Sequence, residues 1–413
     1  MRRLLAHRDA RIYIAGQSLS AIGDSALWLA MGIWVKILTG SYSEAGLTFL
    51  AFTCGCLAAP VSGVIVDRLR RRPLLIAANL GSAALVCVLL LVHGRGQFWI
   101  IYVVMFGYGV ANSLIMSAQT ALLPDLVPAD LLGDANAMLQ MASQGLRVIT
   151  PLLGAGLLAW VGATPVILLD AGTFVVATVT AAALRLREPR RARPAAHWRA
   201  EFSAGIRYVV RTPALRRPMV ACLIAVSVFG FFETVPFAVI GQGLHRSPEF
   251  LGVLVSLQGV GALAGAALAA PVMRRTSERA LIAGGLATCA AASLLLITAS
   301  LPLILVAGAA LGVCLVWINV GAVTLIQRRT PGALLGRVDA ALEFAITAPQ
   351  AASIALGAAL IAVVNYRLLL LAMAAVIAFS AGYLASRREP GDGQAVDALP
   401  LADSMPTGSA GRC

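Results

Sequence analysis

The chain has 413 residues, of which 59% are hydrophobic and only 12% charged, with a formal net charge of +13. Soluble proteins carry about 25% charged residues, so a polytopic membrane protein is implied. The charge does not point to nucleic acid, because the basic residues lie between apolar runs rather than on a folded soluble face; all but Lys36 are Arg.

About 20 apolar residues in a helix cross a bilayer core. Such runs occur at 12–37, 44–66, 74–93, 98–121, 134–160, 164–184, 218–241, 249–273, 279–299, 302–326, 338–363 and 367–386, which predicts twelve transmembrane helices. The first residues, Met1-Arg-Arg-Leu-Leu-Ala-His-Arg, lack a short apolar region with a small-residue cleavage site, so no signal peptide is expected. With the N-terminus inside, 27 Arg and Lys residues fall on inner segments and 4 on outer ones (Lys36, Arg95, Arg246 and Arg367), while Arg147 lies within a span. The positive-inside rule then places both termini in the cytoplasm.

The longest connection, 185–217, opens with Arg185, Arg187, Arg190, Arg191 and Arg193. Trp198, Phe202, Ile206 and Val209 then share one helical face, with Arg199, Arg207 and Arg211 around it. This reads either as an amphipathic helix on the inner membrane surface or as a plain cytoplasmic helix. The chain after Arg388, rich in Gly, Pro, Ser and Asp, is expected to be disordered. An internal repeat is also visible. Pro128-Ala-Asp-Leu-Leu-Gly-Asp-Ala-Asn-Ala137 matches Pro331-Gly-Ala-Leu-Leu-Gly-Arg-Val-Asp-Ala340 at five of ten positions, before spans five and eleven. An offset of six spans preserves orientation, so the halves are parallel repeats. The expected division is 1–184, a linker at 185–217, 218–388, and a tail at 389–413.

Between spans two and three stands Gly63-Val-Ile-Val-Asp67-Arg68-Leu-Arg70-Arg71-Arg72-Pro73. Its glycine allows close helix approach, and no residue nearby in sequence neutralises the arginines. This pattern resembles the loop between the second and third spans of major facilitator superfamily transporters. Three further stretches resemble the branch holding macrolide-efflux and siderophore-export proteins: Glu201-Phe-Ser-Ala-Gly-Ile-Arg-Tyr-Val-Val-Arg-Thr-Pro-Ala-Leu-Arg, Pro124-Asp-Leu-Val-Pro128 and Leu169-Asp170-Ala-Gly-Thr-Phe174. The resemblance covers about residues 1–388. It implies the major facilitator fold, two six-helix halves around a central cavity, with a gating loop that includes Gly63, Asp67, Arg68, Arg71 and Arg72. In that fold Asp67 faces the inner start of span eleven, near Gly336–Val338. Two positions depart from the antiporter pattern. Span four, Met105-Phe-Gly-Tyr-Gly-Val-Ala-Asn112, lacks the Arg found in many proton-coupled exporters. Span five has Thr150-Pro151-Leu-Leu-Gly154-Ala-Gly156 where the antiporter signature reads Gly-Pro-x-x-Gly-Gly.

Ionisable residues at mid-bilayer cost at least about 2.5–3.5 kcal/mol and usually line a cavity or pair. Asp24 lies mid-span one, in line with Gln17, Ser20 and Trp28. Arg147 lies mid-span five, where it is placed either to pair with Asp24 or to hold an anionic substrate. Tyr108, Asn112 and Gln119 form a polar line on span four, and Asp339, Glu343, Thr347 and Gln350 another on span eleven. Gln258 and Asn319 complete the expected cavity lining. Glu233 lies among Phe229, Phe231, Phe232 and Phe237, three residues before Pro236. An apolar setting disfavours the charged carboxylate, and the proline should bend the helix there. Glu233 is therefore the first candidate for proton coupling and Asp24 the second. For each of these residues, a satisfied structural contact between helices is the alternative. Asp170, in the outer half of span six, reads more readily as structural. His7, His93, His197 and His245 lie at or outside span ends, and seven scattered Cys show no metal spacing, so neither a histidine relay nor a metal site is expected.

The leading functional reading is a secondary transporter: a proton-coupled exporter of amphipathic small molecules (drug, macrolide or siderophore-like) in a bacterial inner membrane. Its expected partners are the substrate, protons and the lipid bilayer, without nucleic acid or cofactor, and the chain is expected to be monomeric. A nutrient uptake permease of the same fold and a transport-inactive sensor or assembly factor remain alternatives. No Gly-x-x-x-x-Gly-Lys-Ser/Thr loop is present, so the energy should come from an ion gradient. No His-Glu-x-x-His or Gly-x-Ser-x-Gly is present, so an enzyme is not expected.

Overall fold

A computed structural model of the chain describes residues 7–127, 131–184 and 198–386, and among these every regular element is helical. In chain order the main helices are α1 Arg8–Thr39, α2 Tyr42–Cys56, α3 Ala59–Arg68, α4 Arg71–Cys87, α5 Trp99–Leu126, α6 Leu132–Val161, α7 Ala163–Ala183, α8 Trp198–Arg211, α9 Pro213–Phe229, α10 Leu251–Arg275, α11 Glu278–Leu295, α12 Leu301–Arg329, α13 Gly332–Leu360 and α14 Tyr366–Ala385. Each of the twelve apolar runs is mainly helical, though not each is one unbroken helix. Nine helical stretches among the described residues are long and apolar enough to cross a membrane. The other three runs correspond to α2 with α3, to α6 and to α13.

Local chemistry sets several boundaries. Gly40, at φ +76°, ends α1 in the left-handed region where a side chain would be strained. Ser41, Ser277 and Asn365 cap α2, α11 and α14 by accepting backbone N–H bonds from Glu44, Ala280 and Arg367.

Two expected spans are not continuous helices. The second breaks at Leu57–Ala58, between α2 and α3. Pro60 has no N–H to offer the carbonyl four residues earlier, and that carbonyl, on Cys56, instead accepts the Ser113 hydroxyl of α5 at 3.1 Å. The seventh span leaves α-geometry after Phe229. A 3-10 turn at Gly230–Glu233, a helical turn at Val235–Ala238 and a π-turn at Val239–Gly243 follow. α-Geometry is thus interrupted on both sides of Pro236, and Glu233 lies in the interruption.

Helix packing bears out the repeat. In the first half α1 packs on α6 and α7, α2 and α3 on α5, and α4 on α5 and α7; in the second, α9 packs on α13 and α14, α10 on α12, and α11 on α12 and α14. The two sets join through α6 on α10 and α2 on α13, which are equivalent contacts under a shift of six spans. α8 packs on α13 and α9, with Val209 buried and the Tyr208 hydroxyl bonded to the Arg329 carbonyl at 2.7 Å, while Ile206 and Val210 stay exposed. Part of its apolar face thus meets protein. The side chains of Trp198 and Phe202 lie outside the described residues.

Two of the four arginines, Arg71 and Arg72 at the start of α4, are bound from far along the chain. Arg71 bonds the Asp125 carboxylate at 2.6 Å and the Ala121 carbonyl at the end of α5, and Arg72 bonds the Ala181 and Ala182 carbonyls at the end of α7. Helix C-termini favour such cations. In the second half Arg328 on α12 pairs with Glu278 on α11, the same two helix positions with the charges exchanged. Hereafter this is the arginine-bearing end.

Among the described residues the close approach expected at Gly63 is not made: a Cβ there would meet none of them within 4 Å. α3 packs on α5, and the tight crossing falls one helix earlier. A Cβ on Gly55 would sit 2.2 Å from the Phe106 carbonyl oxygen, and one on Gly109 would sit 2.1 Å from that of Phe52. Gly55→Ala should therefore lower stability by about 1–3 kcal/mol, the usual cost of overpacking. Gly63→Ala should stay within about 0.5 kcal/mol of the parent. Thermal unfolding of the detergent-solubilised variants checks both, and equal losses would contradict this packing.

Candidate functional site

A cavity of about 510 Å³ lies in the first half, within the range of small-molecule sites, about 300–1,000 Å³. α1 contributes Tyr13, Gln17, Ser20 and Asp24; α5 contributes Tyr108, Asn112, Met116 and Gln119; Phe174 of α7 and Leu132 and Leu139 of α6 complete much of the wall. The lining runs from mid-depth at Asp24 to Leu123, Pro124 and Leu132 at the arginine-bearing end.

Helical spacing brings the polar groups to one face. Gln17, Ser20 and Asp24 are stacked at intervals of three and four on α1, and Tyr108, Asn112 and Gln119 at intervals of four and seven on α5. The two rows meet. The Tyr108 hydroxyl donates to Asp24 Oδ1 at 2.6 Å, and Gln119 Nε2 donates to Gln17 Oε1 at 2.6 Å. Tyr108 is itself buried, edge-on to Phe174 with ring centroids 5.8 Å apart and 6.0 Å from the Phe52 ring. Asn112 reaches the Cys56 sulfur at 4.0 Å, so the cavity wall also touches the break between α2 and α3.

The opposite end is closed across the two halves. Phe49 of α2 stands 6.2 Å from Phe237, and Trp28 packs on Phe49 at 4.6 Å. Gly46 faces Thr234 so closely that a Cβ would lie 2.4 Å from its hydroxyl oxygen. Lys36 sits 3.6 Å from the centre of the Tyr42 ring at this end.

Of the expected residues, Asp24, Tyr108, Asn112 and Gln119 share the cavity, and Trp28 belongs to the aromatic seal. Glu233, Gln258, Asn319 and Glu343 are in the second half and do not line this cavity; Asn319 and Glu343 are exposed. The side chains of Arg147, Asp67, Arg337 and Asp339 lie outside the described residues, so the expected Asp24–Arg147 pair and the Asp67 contact with α13 fall there too. Sequence reasoning did not find the pairing of Asp24 with Tyr108. It also gave Asp170 no part in the site, although the carboxyl is fully buried behind Tyr108. The signal available was three polar residues of spans one, four and six away from the span ends. Among the described residues no group of His, Cys, Asp and Glu is arranged to hold a metal ion.

The chain is thus an all-helical bundle with repeated packing and a polar cavity in its first half. The Major Facilitator Superfamily model matches residues 13–243 and 220–401, and the chain belongs to that family. It is 27% identical over 175 residues to "Macrolide efflux protein A" of Streptococcus pyogenes, covering 42% of this chain and 43% of that protein. It is 25% identical over 380 residues to "Enterobactin exporter EntS" of Citrobacter koseri, covering 87% and 85%. The crystal structure of "a bacterial homologue of iron transporter ferroportin in inward-facing state" superposes with a TM-score of 0.71 at 16% identity, covering 92% of this chain and 98% of that one; this likeness concerns the fold.

Cavity and seal together predict one-sided access. In a cysteine-free background, Gln119→Cys should react with an impermeant maleimide from the same membrane face as Arg72→Cys, and Phe49→Cys from neither. Labelling of Gln119→Cys only from the opposite face would contradict the geometry.

Proposed function

We propose that this chain is a proton-coupled exporter of amphipathic small molecules that works by alternating access in a bacterial inner membrane, with its arginine-bearing end in the cytoplasm. The observation that carries this reading is the cavity whose deepest polar group, Asp24, is a carboxylate bonded to a buried tyrosine. Exporter names among relatives at low identity support it. So does the predominance of arginine at one end, which matches the positive-inside rule.

In the proposed cycle the cavity takes substrate from the cytoplasmic side. Phe174, Tyr108 and Met116 offer apolar surface, and Gln17, Gln119 and Asn112 offer hydrogen bonds, a mixture that suits an amphipathic molecule. Ionised Asp24 accepts from Tyr108, whereas protonated Asp24 can donate in its turn, so proton loading changes what the cavity presents to substrate. Transport then requires the seal formed by Phe49, Phe237 and the Gly46–Thr234 contact to separate while the arginine-bearing end closes. The two halves, 1–184 and 218–388, move as units about the breaks at Leu57–Ala58 and Gly230–Gly243. The gating loop, with Asp67 against the start of α13, latches the closed cytoplasmic side. Glu233 lies in the second break, outside the cavity, and Asp24 takes the coupling role.

Reconstituted protein should export a transported amphipathic fluorophore against its gradient when a proton gradient is imposed. Asp24→Asn should abolish uphill export and the accompanying proton movement yet still equilibrate the fluorophore down its gradient. Glu233→Gln should keep both activities, at a reduced rate. Uphill export by Asp24→Asn at the parent rate would overturn the assignment, and its loss in Glu233→Gln alone would move coupling to Glu233.

A further inference from the structure

Asp170 is 0% exposed, and among the described residues neither of its carboxylate oxygens is hydrogen-bonded. It sits where α7 crosses α1. A Cβ on Gly23 would lie 2.6 Å from Asp170 Oδ1 and 2.2 Å from the Thr173 hydroxyl oxygen, so the absence of a side chain there seats the carboxyl directly on the α1 backbone. Thr173 does not satisfy it, because that hydroxyl is spent on the Asp170 backbone carbonyl at 2.8 Å.

The groups facing Asp170 can be named helix by helix. α1 presents Asp24, and α5 presents Tyr108, whose hydroxyl neighbours both carboxyls and donates to Asp24 in this conformation. α4, also packed on α7, has no titratable side chain between Pro73 and Val86; its Arg71 and Arg72 are bound at the arginine-bearing end. α6 carries Arg147, whose side chain is outside the described residues. No described cation thus stands against Asp170, while a second carboxylate does. An isolated buried charge is far more costly than a neutral polar group, and two neighbouring carboxylates do not both ionise readily.

We propose that Asp170 is a second proton-binding site, joined to Asp24 through the Tyr108 hydroxyl, and that it holds a proton while the cavity is open to the arginine-bearing end. The transfer is a balanced exchange. Tyr108 gives its O–H proton to the Asp24 carboxylate as its oxygen accepts the proton of the Asp170 carboxyl. The phenol is regenerated, and the negative charge moves from Asp24 to Asp170. The cavity-facing carboxylate would then exchange protons with water, and the buried one would store a proton out of reach of substrate. This inference rests on the reading of Asp24 as the coupling group, and its test does not depend on transport.

Infrared spectroscopy of the full chain in lipid, at neutral pH, reads a protonated carboxyl directly from its carbonyl stretch, and transfer to deuterated buffer reports how fast that proton exchanges. Asp170→Asn should remove the band of a buried protonated acid. Asp24→Asn, which leaves Asp170 in place, should retain it. Tyr108→Phe should also retain it but slow its exchange at least about tenfold, a barrier increase of about 1.4 kcal/mol. If Asp170→Asn does not fold, the Asp24→Asn and Tyr108→Phe spectra decide alone. Loss of the band in Asp24→Asn, an unchanged band in Asp170→Asn, or parent-rate exchange in Tyr108→Phe would each overturn the proposal. Failure of Asp24→Asn to impair uphill export, with these spectra as expected, would instead overturn the coupling role of Asp24 and leave the proton site standing.

Discussion

A carboxylate in the middle of an apolar bundle needs a partner, and the Asp24–Tyr108 hydrogen bond is the contact around which the first half is arranged. Insertion of such a group at mid-bilayer costs at least about 2.5–3.5 kcal/mol, so its surroundings are constrained from several sides. α5 must come close enough for the Tyr108 hydroxyl to reach across, and the glycine crossing at Gly55 and Gly109 fixes how closely α5 lies on α2. Phe52 and Phe174 hold the tyrosine ring between them. α7 must lie flat on α1, and Gly16 opposite Thr180 and Gly23 opposite Thr173 and Asp170 permit that. A larger residue at any of these glycines would separate the helices that bring the polar groups together.

The two ends of the bundle differ in how they are held. At the seal, aromatic and small residues from both halves interlock, with Phe49 near Phe237 and Gly46 against Thr234. At the arginine-bearing end, the described ion pairs lie within one half: Arg71 with Asp125 in the first, Arg328 with Glu278 in the second. Each half is therefore tied internally at the end where the cavity reaches out, while the halves are tied to each other at the opposite end. The spans interrupted at Leu57–Ala58 and at Gly230–Gly243 contribute to the seal or adjoin it. This distribution suits a rocking motion, since separating the seal need not break the charge pairs that stabilise each half.

Much of the fold was legible because bilayer helices follow a simple rule: the apolar runs fall on helical structure, two of them broken, and the match between Pro128–Ala137 and Pro331–Ala340 agrees with the repeated packing seen in α6 and α13. The site was legible one residue at a time. Asp24, Tyr108, Asn112 and Gln119 stood out as polar residues in apolar runs, and they share one cavity. Their pairing was not legible, because Asp24 and Tyr108 are 84 residues apart and only the helix crossings decide which partner is within reach. The same holds for Arg71, whose carboxylate is 54 residues away. Gly63 misled for a different reason. A glycine allows close approach without requiring it, and in this conformation the contact is made at Gly55. The break at Leu57–Ala58 was readable in part from Pro60, but the Ser113 hydroxyl that takes the freed carbonyl comes from another helix.

If the charge on Asp24 governs which end of the cavity is open, conformation should follow protonation of that residue alone. The most direct test places spin labels on Arg72→Cys of α4 and Arg328→Cys of α12, in a cysteine-free background in lipid nanodiscs, and measures their distance distribution by pulsed electron resonance from acid to alkaline buffer. Alternating access gated by Asp24 predicts populations that shift between a longer and a shorter distance with pH in the parent. In Asp24→Asn it predicts a distribution that keeps both distances but no longer shifts with pH. The same pH-dependent shift in Asp24→Asn as in the parent would contradict it.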